Sequence, residues 1–270
     1  MKKQVAVFTL SYNERYWLPV WVRHYTQQGF DTSDIYVLDN TSTDGSTSDL
    51  RGCLRLIVDH DRHFNWDHRW MTQIVKWFRD KLLDKYDYVV LADSDECICV
   101  DPSVGMNLRE FIDTMDHDVV DIPFVYVLHD VINNEPSLDL SKPILEQRSL
   151  WLENIAGKSL ITRVSQWCDI GFHDCFPRGD VLPELRIVHL RWADRDITVK
   201  RVRERLGNDA GDPAHWGTND RIKDSDVRTD KELREFLTGS WPPQMRMWQS
   251  PYFKPWMPVP ISDKWKSLII

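Results

Sequence analysis

Three carboxylates lie close together in the first third of the chain. Asp93, Asp95 and Glu96 directly follow residues 88–92, which are predicted to form a buried strand. Side chains two positions apart on a strand point to the same side, so Asp93 and Asp95 face one ligand while the strand lasts, whereas a turn would divide their roles. Such oxygens suit Mg²⁺ or Mn²⁺, whose other ligands in nucleotide-using sites are water and diphosphate. The motif predicts a divalent cation, and the alternative is a solvated acidic turn.

Two other polar segments, residues 11–14 and 39–46, also follow predicted strands. In a doubly wound sheet they would meet the acidic motif at one crevice, where short polar groups can bind a base and a ribose. The alternatives are a helix N-cap in the first segment and an ordinary tight turn in the second. The side chains predicted to bind the nucleotide are Asn13, Glu14, Asp39 and Asn40.

Strands alternate with helices through the first half of the sequence. The predicted strands cover residues 5–10, 35–38, 54–58 and 88–92, and the predicted helices cover residues 13–28 and 66–83. This alternation predicts an α/β fold with a mostly parallel central sheet and helices on both faces. Ligands bind outside the carboxyl ends of the strands in such sheets, which is where all three polar segments lie.

The second half of the chain is predicted to extend the same domain. Its elements are helices at 108–115 and 197–206, strands at 119–128, 159–162 and 185–190, and a mobile loop at 133–149. Residues 241–270 are rich in Trp and Pro, and we expect them to wrap the domain; exposed aromatic rings there could instead stack on sugars or bind a partner. The tryptophans of this tail are Trp241, Trp248, Trp256 and Trp265. All 270 residues are predicted to form a single domain.

The composition argues against several classes of protein. The formal charge of −8 disfavours broad binding to nucleic acid or anionic lipid, because both require clustered basic side chains. No apolar run approaches the roughly 18 residues of a membrane span, and no signal-peptide core follows Met1, so we expect a cytoplasmic protein without an integral membrane segment. The 5 cysteines are odd in number and lack CxxC spacing, so we expect reduced thiols, without a zinc site or a disulfide framework.

Taken in order, the three polar segments resemble one enzyme family. The matching stretches are residues 10–18, 38–46 and 91–96. They are similar to the family-2-like glycosyltransferases, particularly the smaller branch with an Asn-Glu start and an Asp-x-Asp-Glu metal motif. The resemblance covers about residues 1–100, and beyond them residues 157–159 and 187–190 match loosely.

The resemblance implies a GT-A fold with two functional halves. Residues of about 1–100 would bind a nucleoside diphosphate sugar, with a UDP-sugar as the first candidate, and residues of about 101–240 would bind the acceptor. The sugar would pass with inversion to a hydroxyl of a glycan, of a lipid-linked acceptor or of a small molecule. Mn²⁺ or Mg²⁺ is the implied cofactor.

The family's site residues carry over to particular positions. By the resemblance, Asp39 contacts the base, Asp93 contacts the ribose and can also contact the metal, and Asp95 binds the metal that bridges both phosphates. Asn13 and Glu14 would line the nucleotide pocket. His189, at the end of the predicted strand 185–190, is similar to the late histidine that completes the metal shell in many GT-A enzymes.

The catalytic base is not assigned by the resemblance, because the Glu-Asp pair that often supplies it in this family is not found. Inversion requires a group that takes the proton of the acceptor hydroxyl, and His173 and Asp174 are two candidates next to each other. Lys158 and Arg191 are candidates for contacts with phosphate, and a solvated cationic surface is the alternative for Lys158.

Two other functions compete with sugar transfer. A nucleotidyltransferase acting on sugar phosphates also mounts carboxylates and a metal on an α/β sheet, but its first strand should be followed by a Gly-rich basic loop, where this chain has residues 11–14. A noncatalytic carbohydrate-binding module would use the Trp-rich tail, and binding of a nucleoside diphosphate only in the presence of Mn²⁺ would distinguish the enzyme from it.

Overall fold

Four parallel strands form one side of the central sheet in the computed structural model, which describes residues 2–59, 68–207, 224–240, 257–268 and 270. The strands are β1 (Val5–Ser11), β2 (Ile35–Asp39), β3 (Leu54–Ile57) and β4 (Tyr88–Leu91), in the spatial order β3-β2-β1-β4. Strands β1 and β4 are apolar and buried, since parallel strands inside a sheet are covered on both faces. The edge strand β3 is exposed. All four strands lie where the sequence predicts them.

Three helices follow or flank these strands. They are α1 (Leu18–Gln27), α2 (His68–Leu83) and α3 (Leu108–Thr114). Helix α1 begins at Leu18 and not at Asn13 as predicted; Asn13 has a left-handed backbone with φ of 51°, so a right-handed helix cannot include it. Pro19 lies in the first turn, where backbone N–H groups have no hydrogen-bond partner within the helix, so its missing N–H costs no helical hydrogen bond. Trp21 and Tyr25 on α1 are buried in the main hydrophobic core together with β1, β2 and β4.

The rest of the sheet is mixed. Its strands are β5 (Glu96–Val100), β6 (Val119–Leu128), β7 (Leu150–Thr162), β10 (Asp180–Val181), β11 (Leu185–His189) and β12 (Val259–Pro260), while β8 (Trp167–Cys168) and β9 (Cys175–Phe176) form a separate hairpin. Strand β7 lies between β4 and β6 and is antiparallel to both, whereas β6 and β11 are parallel. The predicted α/β fold with a mostly parallel sheet is confirmed, with β7 and β5 as antiparallel additions.

The last part of the chain packs on the second half of the sheet. Helices α4 (Arg195–Gly207) and α5 (Ser225–Thr238) contact each other, and α6 (Asp263–Lys266) follows β12. Trp265 on α6 packs against Trp151 on β7, with ring centres 5.4 Å apart. The other tryptophans of the predicted tail lie outside the described residues; they are Trp241, Trp248 and Trp256. No described helix has both the length and the apolar composition needed to cross a bilayer.

The segment 133–149, predicted as a mobile loop, is held against the fold. Ile144 and Leu145 are fully buried in a hydrophobic cluster next to β6 and β11. The buried guanidinium of Arg148 donates to the backbone oxygen of Pro136 at 3.0 Å and lies 3.4 Å from the Asp194 carboxylate. The charge of Arg148 is therefore neutralised inside the protein, and this contact fixes the segment beside α4.

Candidate functional site

A turn separates the two aspartates of the acidic motif. Strand β4 ends at Leu91 and β5 begins at Glu96, whose backbone N–H donates to the Asp93 backbone oxygen at 2.9 Å. The two carboxylates consequently have different partners: Asp93 contacts Lys158, and Asp95 contacts Arg201. The sequence allows the two aspartates either to face one ligand from a continuing strand or to be separated by a turn. The structure has the turn.

Lys158 neutralises one side of this turn. It lies on β7, is 3% exposed, and places its Nζ 2.7 Å from Oδ2 of Asp93 and 2.6 Å from Oε1 of Glu96. Burial opposes the charged ammonium, but the two carboxylates raise the pKa of Lys158 above its usual value. Burial also raises the pKa of Glu96, and Lys158 offsets this only in part. A permanent cation therefore lies at the carboxyl end of β4.

Arg201 neutralises the other side. Its guanidinium, on α4, donates to both carboxylate oxygens of Glu14 at 3.0 and 3.1 Å and to Oδ2 of Asp95 at 2.7 Å. Although burial acts in the opposite direction, Arg201 and then His189 hold the pKa of Asp95 well below its usual value. Asp95 is therefore ionised, and the loop after β1 is tied to the acidic turn through one side chain.

Arg201 lies within the helix predicted at residues 197–206, but it was not among the predicted site residues. The spacing of residues on α4 could have predicted that Arg201 is buried. Ile197 and Thr198 are buried, and Arg201, four and three positions after them, lies on the same helix face. An arginine on the buried face of a helix requires a carboxylate partner, and Glu14 is such a partner. Arg203, two positions further, is half exposed and pairs at the surface with Asp226.

Two histidines and two aromatic rings form the wall beside Asp95. Nε2 of His189 lies 3.7 Å from Oδ2 of Asp95, and the His189 ring packs on Tyr126 and Phe124, with centres 5.1 and 5.6 Å apart. The ring of His173 packs on the same Phe124 at 5.9 Å. Burial lowers the pKa of His173 to about 4, and the nearby Lys158 ammonium adds to this effect. His173 is therefore neutral at neutral pH.

A disulfide closes the hairpin that carries His173. Cys168 on β8 and Cys175 on β9 face each other and are bonded, so the expectation of reduced thiols is wrong for this pair. The absence of CxxC spacing does not exclude this bond, because two antiparallel strands bring together cysteines that are further apart in the chain. Gly171 in the connecting loop has φ of 78°, and a side chain there would begin 3.1 Å from the His173 ring.

The loops after β1 and β2 brace each other. The side-chain oxygen of Asn13 accepts hydrogen bonds from the backbone N–H groups of Thr43 at 2.8 Å and Asp44 at 3.2 Å. The backbone N–H of Asn40 donates to the Ser11 backbone oxygen at 2.9 Å. The two polar segments predicted to meet at one rim are therefore in direct contact.

Asp39 shapes the second of these loops from inside. Its Oδ1 accepts the backbone N–H of Ser42 at 2.8 Å, and its Oδ2 accepts the Thr47 hydroxyl at 2.9 Å and Nε of Arg55 at 2.8 Å. Burial acts to raise the pKa of Asp39, but these donors outweigh it and hold the pKa below its usual value. Asp39 is fully buried in this arrangement, so contact with a base would require its donors to rearrange.

Two predicted residues lie at the surface. The Asp174 carboxylate is exposed and pairs with Arg178 at 2.7 Å. The exposed Arg191 places its guanidinium carbon 4.9 Å from the centre of the Trp192 ring, beyond the end of β11. The predicted residues that the structure joins by contacts into one group at the acidic turn are Glu14, Asp93, Asp95, Lys158, His173 and His189.

Asp95 and His189 are the pair with the right chemistry for a divalent cation. Among the described residues, no three acidic, histidine or cysteine side chains converge on a point where an ion could be held. Asp95 and His189 nevertheless approach to 3.7 Å and offer an oxygen and an imidazole nitrogen, both of which Mn²⁺ accepts, with further positions left for water and phosphate. Nδ1 of His189 is buried, and no hydrogen-bond partner for it is found within the described part of the chain. Both aspartates also have a cationic partner at 2.7 Å, Lys158 for Asp93 and Arg201 for Asp95, and only Asp95 has an imidazole nitrogen beside it in the described part of the chain.

The sequence and the fold of this chain can be compared with those of known proteins. No protein-family model matches the sequence, and no curated protein matches it. The chain is similar to TarS 1–349 from S. aureus in complex with UDP-GlcNAc, at 11% identity and a TM-score of 0.41, over 91% of this chain and 78% of that one. It is also similar to the mannosyltransferase PcManGT from Pyrobaculum calidifontis in complex with GDP-Man and Mn²⁺, at 12% identity and a TM-score of 0.35, over 86% and 70%. Both TM-scores are below 0.5, so the function is inferred from the residues of the site.

Proposed function

We propose that this chain is a metal-dependent glycosyltransferase of the GT-A type, which moves a sugar from a nucleoside diphosphate sugar to an acceptor hydroxyl with inversion. The observation that carries the proposal is the charge cluster at the carboxyl ends of β1 and β4. It joins, through hydrogen bonds and ion pairs, an Asn-Glu loop and an Asp-x-Asp-Glu turn that are far apart in the sequence. These are the motifs by which the sequence resembles the family.

The charges of the cluster support the need for a cation. Four carboxylates face two basic side chains, so two negative charges are in excess; the members are Glu14, Asp93, Asp95, Glu96, Lys158 and Arg201. A nucleoside diphosphate is itself an anion, and its phosphates would be repelled by such a site. A divalent cation on Asp95 and His189 would remove this repulsion. When bound, it would also stabilise the charge that develops on the departing diphosphate.

The protein's own groups have separate roles in this proposal. The braced loops containing Asn13 and Asp39 form the side of the nucleotide pocket that binds the base, and Asp93 binds the ribose. The Lys158 ammonium is buried 2.7 Å from Asp93 and 2.6 Å from Glu96, where it offsets part of the negative charge that the donor phosphates would meet. Arg191 at the surface is a second phosphate contact. Arg201 holds Glu14 and Asp95 in place and does not itself need to touch the donor.

His173 is the proposed general base. As the acceptor oxygen bonds to the anomeric carbon, the bond to the diphosphate breaks and the hydroxyl proton passes to the imidazole. A neutral imidazole can accept that proton, and the low pKa of His173 keeps it neutral at neutral pH. Asp174 is the weaker candidate, since its carboxylate is exposed and paired with Arg178.

The test of the function is a donor screen that requires no known acceptor. UDP-, GDP- and dTDP-sugars are incubated with the full chain and Mn²⁺ or Mg²⁺, and slow donor hydrolysis is followed as release of the nucleoside diphosphate. We expect release from one class of donor, its loss in excess chelator and its recovery when Mn²⁺ is restored. Equal release in chelator would contradict the metal requirement. If the protein neither released a nucleoside diphosphate nor bound a nucleotide, the proposal that it is a glycosyltransferase would be contradicted.

Replacing His173 with glutamine should lower the rate of sugar transfer by about 10²-fold or more, because general-base catalysis contributes about 10²–10⁴-fold. Donor affinity should change little. The wild-type rate should fall on acidification only near pH 4, where His173 gains a proton, and not near 6.5 as for an ordinary histidine. His117→Gln is the matched control, since His117 forms a surface pair with Asp180 at 3.1 Å. Loss of donor binding in His173→Gln, with an unchanged rate at saturation, would exclude the base role.

A further inference from the structure

Two large aromatic side chains are exposed next to each other on the disulfide-closed hairpin. Trp167 on β8 is 59% exposed and Phe176 on β9 is 77% exposed. We propose that this pair, the hairpin platform, binds a sugar ring of the acceptor by stacking, so that the acceptor is a glycan chain. This inference rests on the proposed function and narrows its acceptor from a glycan, lipid-linked or small molecule to a carbohydrate.

The pairing of the two strands places both rings on one face. Trp167 is directly opposite Phe176, and side chains at opposite positions of antiparallel strands point to the same side. The next pair, Cys168 and Cys175, is buried and joined by the disulfide. The hairpin thus turns its cysteines toward the protein and its aromatic rings toward solvent.

The platform is held firmly although its rings are exposed. The buried guanidinium of Arg79 on α2 donates to the backbone oxygen of Gln166 and, at 3.3 Å, to its side-chain oxygen. Gln166 in turn donates to the backbone oxygen of Pro177 at 2.8 Å, which joins the start of β8 to the end of β9. These bonds fix the backbone that carries the two rings. Adjacent aromatic side chains that the described part of the chain leaves exposed are typical of binding surfaces, and a preformed backbone loses little entropy on binding.

The position of the hairpin platform next to the loop that carries His173 indicates that it binds the acceptor and not the donor. The loop between β8 and β9 carries His173, the proposed base, whose ring packs on Phe124 at 5.9 Å. Phe124 also packs on His189, which lies 3.7 Å from Asp95. The platform is therefore connected through one short loop to the position where the acceptor hydroxyl must lose its proton. In this proposal, a glycan chain that reacts near His173 extends along this loop and rests a further sugar on the hairpin platform.

The chemistry of the hairpin platform favours a sugar over a protein or a lipid as its ligand. Pyranose rings have apolar C–H faces that pack on aromatic rings, and hydroxyls at their edges that need polar partners. Asp174 and Arg178, each two positions from Phe176 in the chain, form an exposed ion pair that offers polar partners near the hairpin. A stable protein partner buries about 1,200 Å² or more in total, and a lipid chain requires a longer continuous apolar surface than two rings.

The test measures glycan binding separately from donor turnover. Saturation-transfer-difference NMR is recorded on the full chain with cellobiose, maltose and N,N'-diacetylchitobiose as probes, for the wild type and for Trp167→Ala/Phe176→Ala. Donor hydrolysis is measured on the same samples. We expect at least one probe to receive saturation at its ring C–H protons, with the signal falling about tenfold in the double variant and hydrolysis staying within about twofold. Trp77→Ala is the matched control, because Trp77 is 54% exposed on α2.

Each outcome separates the platform from the enzyme. Equal saturation-transfer signals in the wild type and the double variant, or no signal from any probe, would overturn the proposal that the hairpin platform binds a glycan, at any rate of donor hydrolysis. Wild-type protein that binds a glycan but neither binds nor hydrolyses a donor would overturn the proposed function instead. Light scattering after gel filtration adds a further test: a dimer of the wild type that dissociates in the double variant would assign the rings to a second copy and overturn glycan binding. Circular dichroism confirms that the variants fold.

Discussion

Replacing Asp95 with asparagine is expected to lower sugar transfer and donor hydrolysis by about 10³-fold, the effect of losing a group that stabilises developing charge in a transition state. The asparagine keeps the shape of the side chain but loses the charge that faces Arg201 at 2.7 Å and His189 at 3.7 Å. The measurement is release of nucleoside diphosphate over a titration of Mn²⁺. The apparent affinity for Mn²⁺ should fall with the rate.

A surface aspartate provides the matched control. Asp84 is 71% exposed and pairs with Lys81 at 3.3 Å on the protein surface, so Asp84→Asn should leave the rate within about twofold. Thermal unfolding of both variants separates a loss of chemistry from a loss of folding. If Asp95→Asn kept its rate and its response to Mn²⁺, the assignment of Asp95 as the metal residue would have to be abandoned.

Replacing Arg201 with methionine should lower the free energy of unfolding by about 3–5 kcal/mol, which is the usual cost of removing one partner from a buried ion pair. The substitution leaves Glu14 and Asp95 buried without the cation that contacts both of them. Urea denaturation at neutral pH, in buffer with chelator, measures the loss. Methionine has a similar length and adds no new polar group, so the change reports mainly the missing charge.

The neighbouring Arg203 lies on the same helix and supplies the control. It is half exposed and pairs with Asp226, so Arg203→Met should cost less than about 1 kcal/mol. The pH dependence has a defined sign. The folded pKa of Asp95 lies below its unfolded value of about 3.9, so its stabilisation is present above that pH and is lost as the pH falls through the folded pKa. The gap between wild type and Arg201→Met should therefore narrow in acid. Equal losses for the two arginine variants would contradict the buried network.

The elements that could be predicted from the sequence are those with long, regular apolar patterns. Strands β1, β2 and β4 are continuous apolar runs because both faces of a parallel strand are covered, and β6 was predicted with the bounds that it has, Val119–Leu128. The two-residue strands β8 and β9 are too short to show any period. Strand β5 begins with a charged residue, Glu96, and its burial depends on Lys158 from another strand.

The acidic motif could be located from the sequence, but its partners could not. Asp93 and Lys158 are separated by 65 positions, and Asp95 and Arg201 by 106, so no local spacing connects them. The sequence left open whether Asp93 and Asp95 act together, because only the backbone between β4 and β5 decides that. For the same reason, Asp39 was predicted as a base contact without any sign that its carboxylate is bound by Ser42 and Thr47 in the following loop and by Arg55 on β3.

Lys158 lies on the strand that joins the two parallel parts of the sheet, and this position constrains how the chain can change. A one-residue insertion before it in β7 would turn the side chain to the opposite face and leave Asp93 and Glu96 without their cation. The preceding residue, Gly157, lies so close to β6 that a Cβ atom would be 2.4 Å from the Ile122 backbone oxygen. Length changes in the sheet should therefore be tolerated only outside the stretch that contains these two residues.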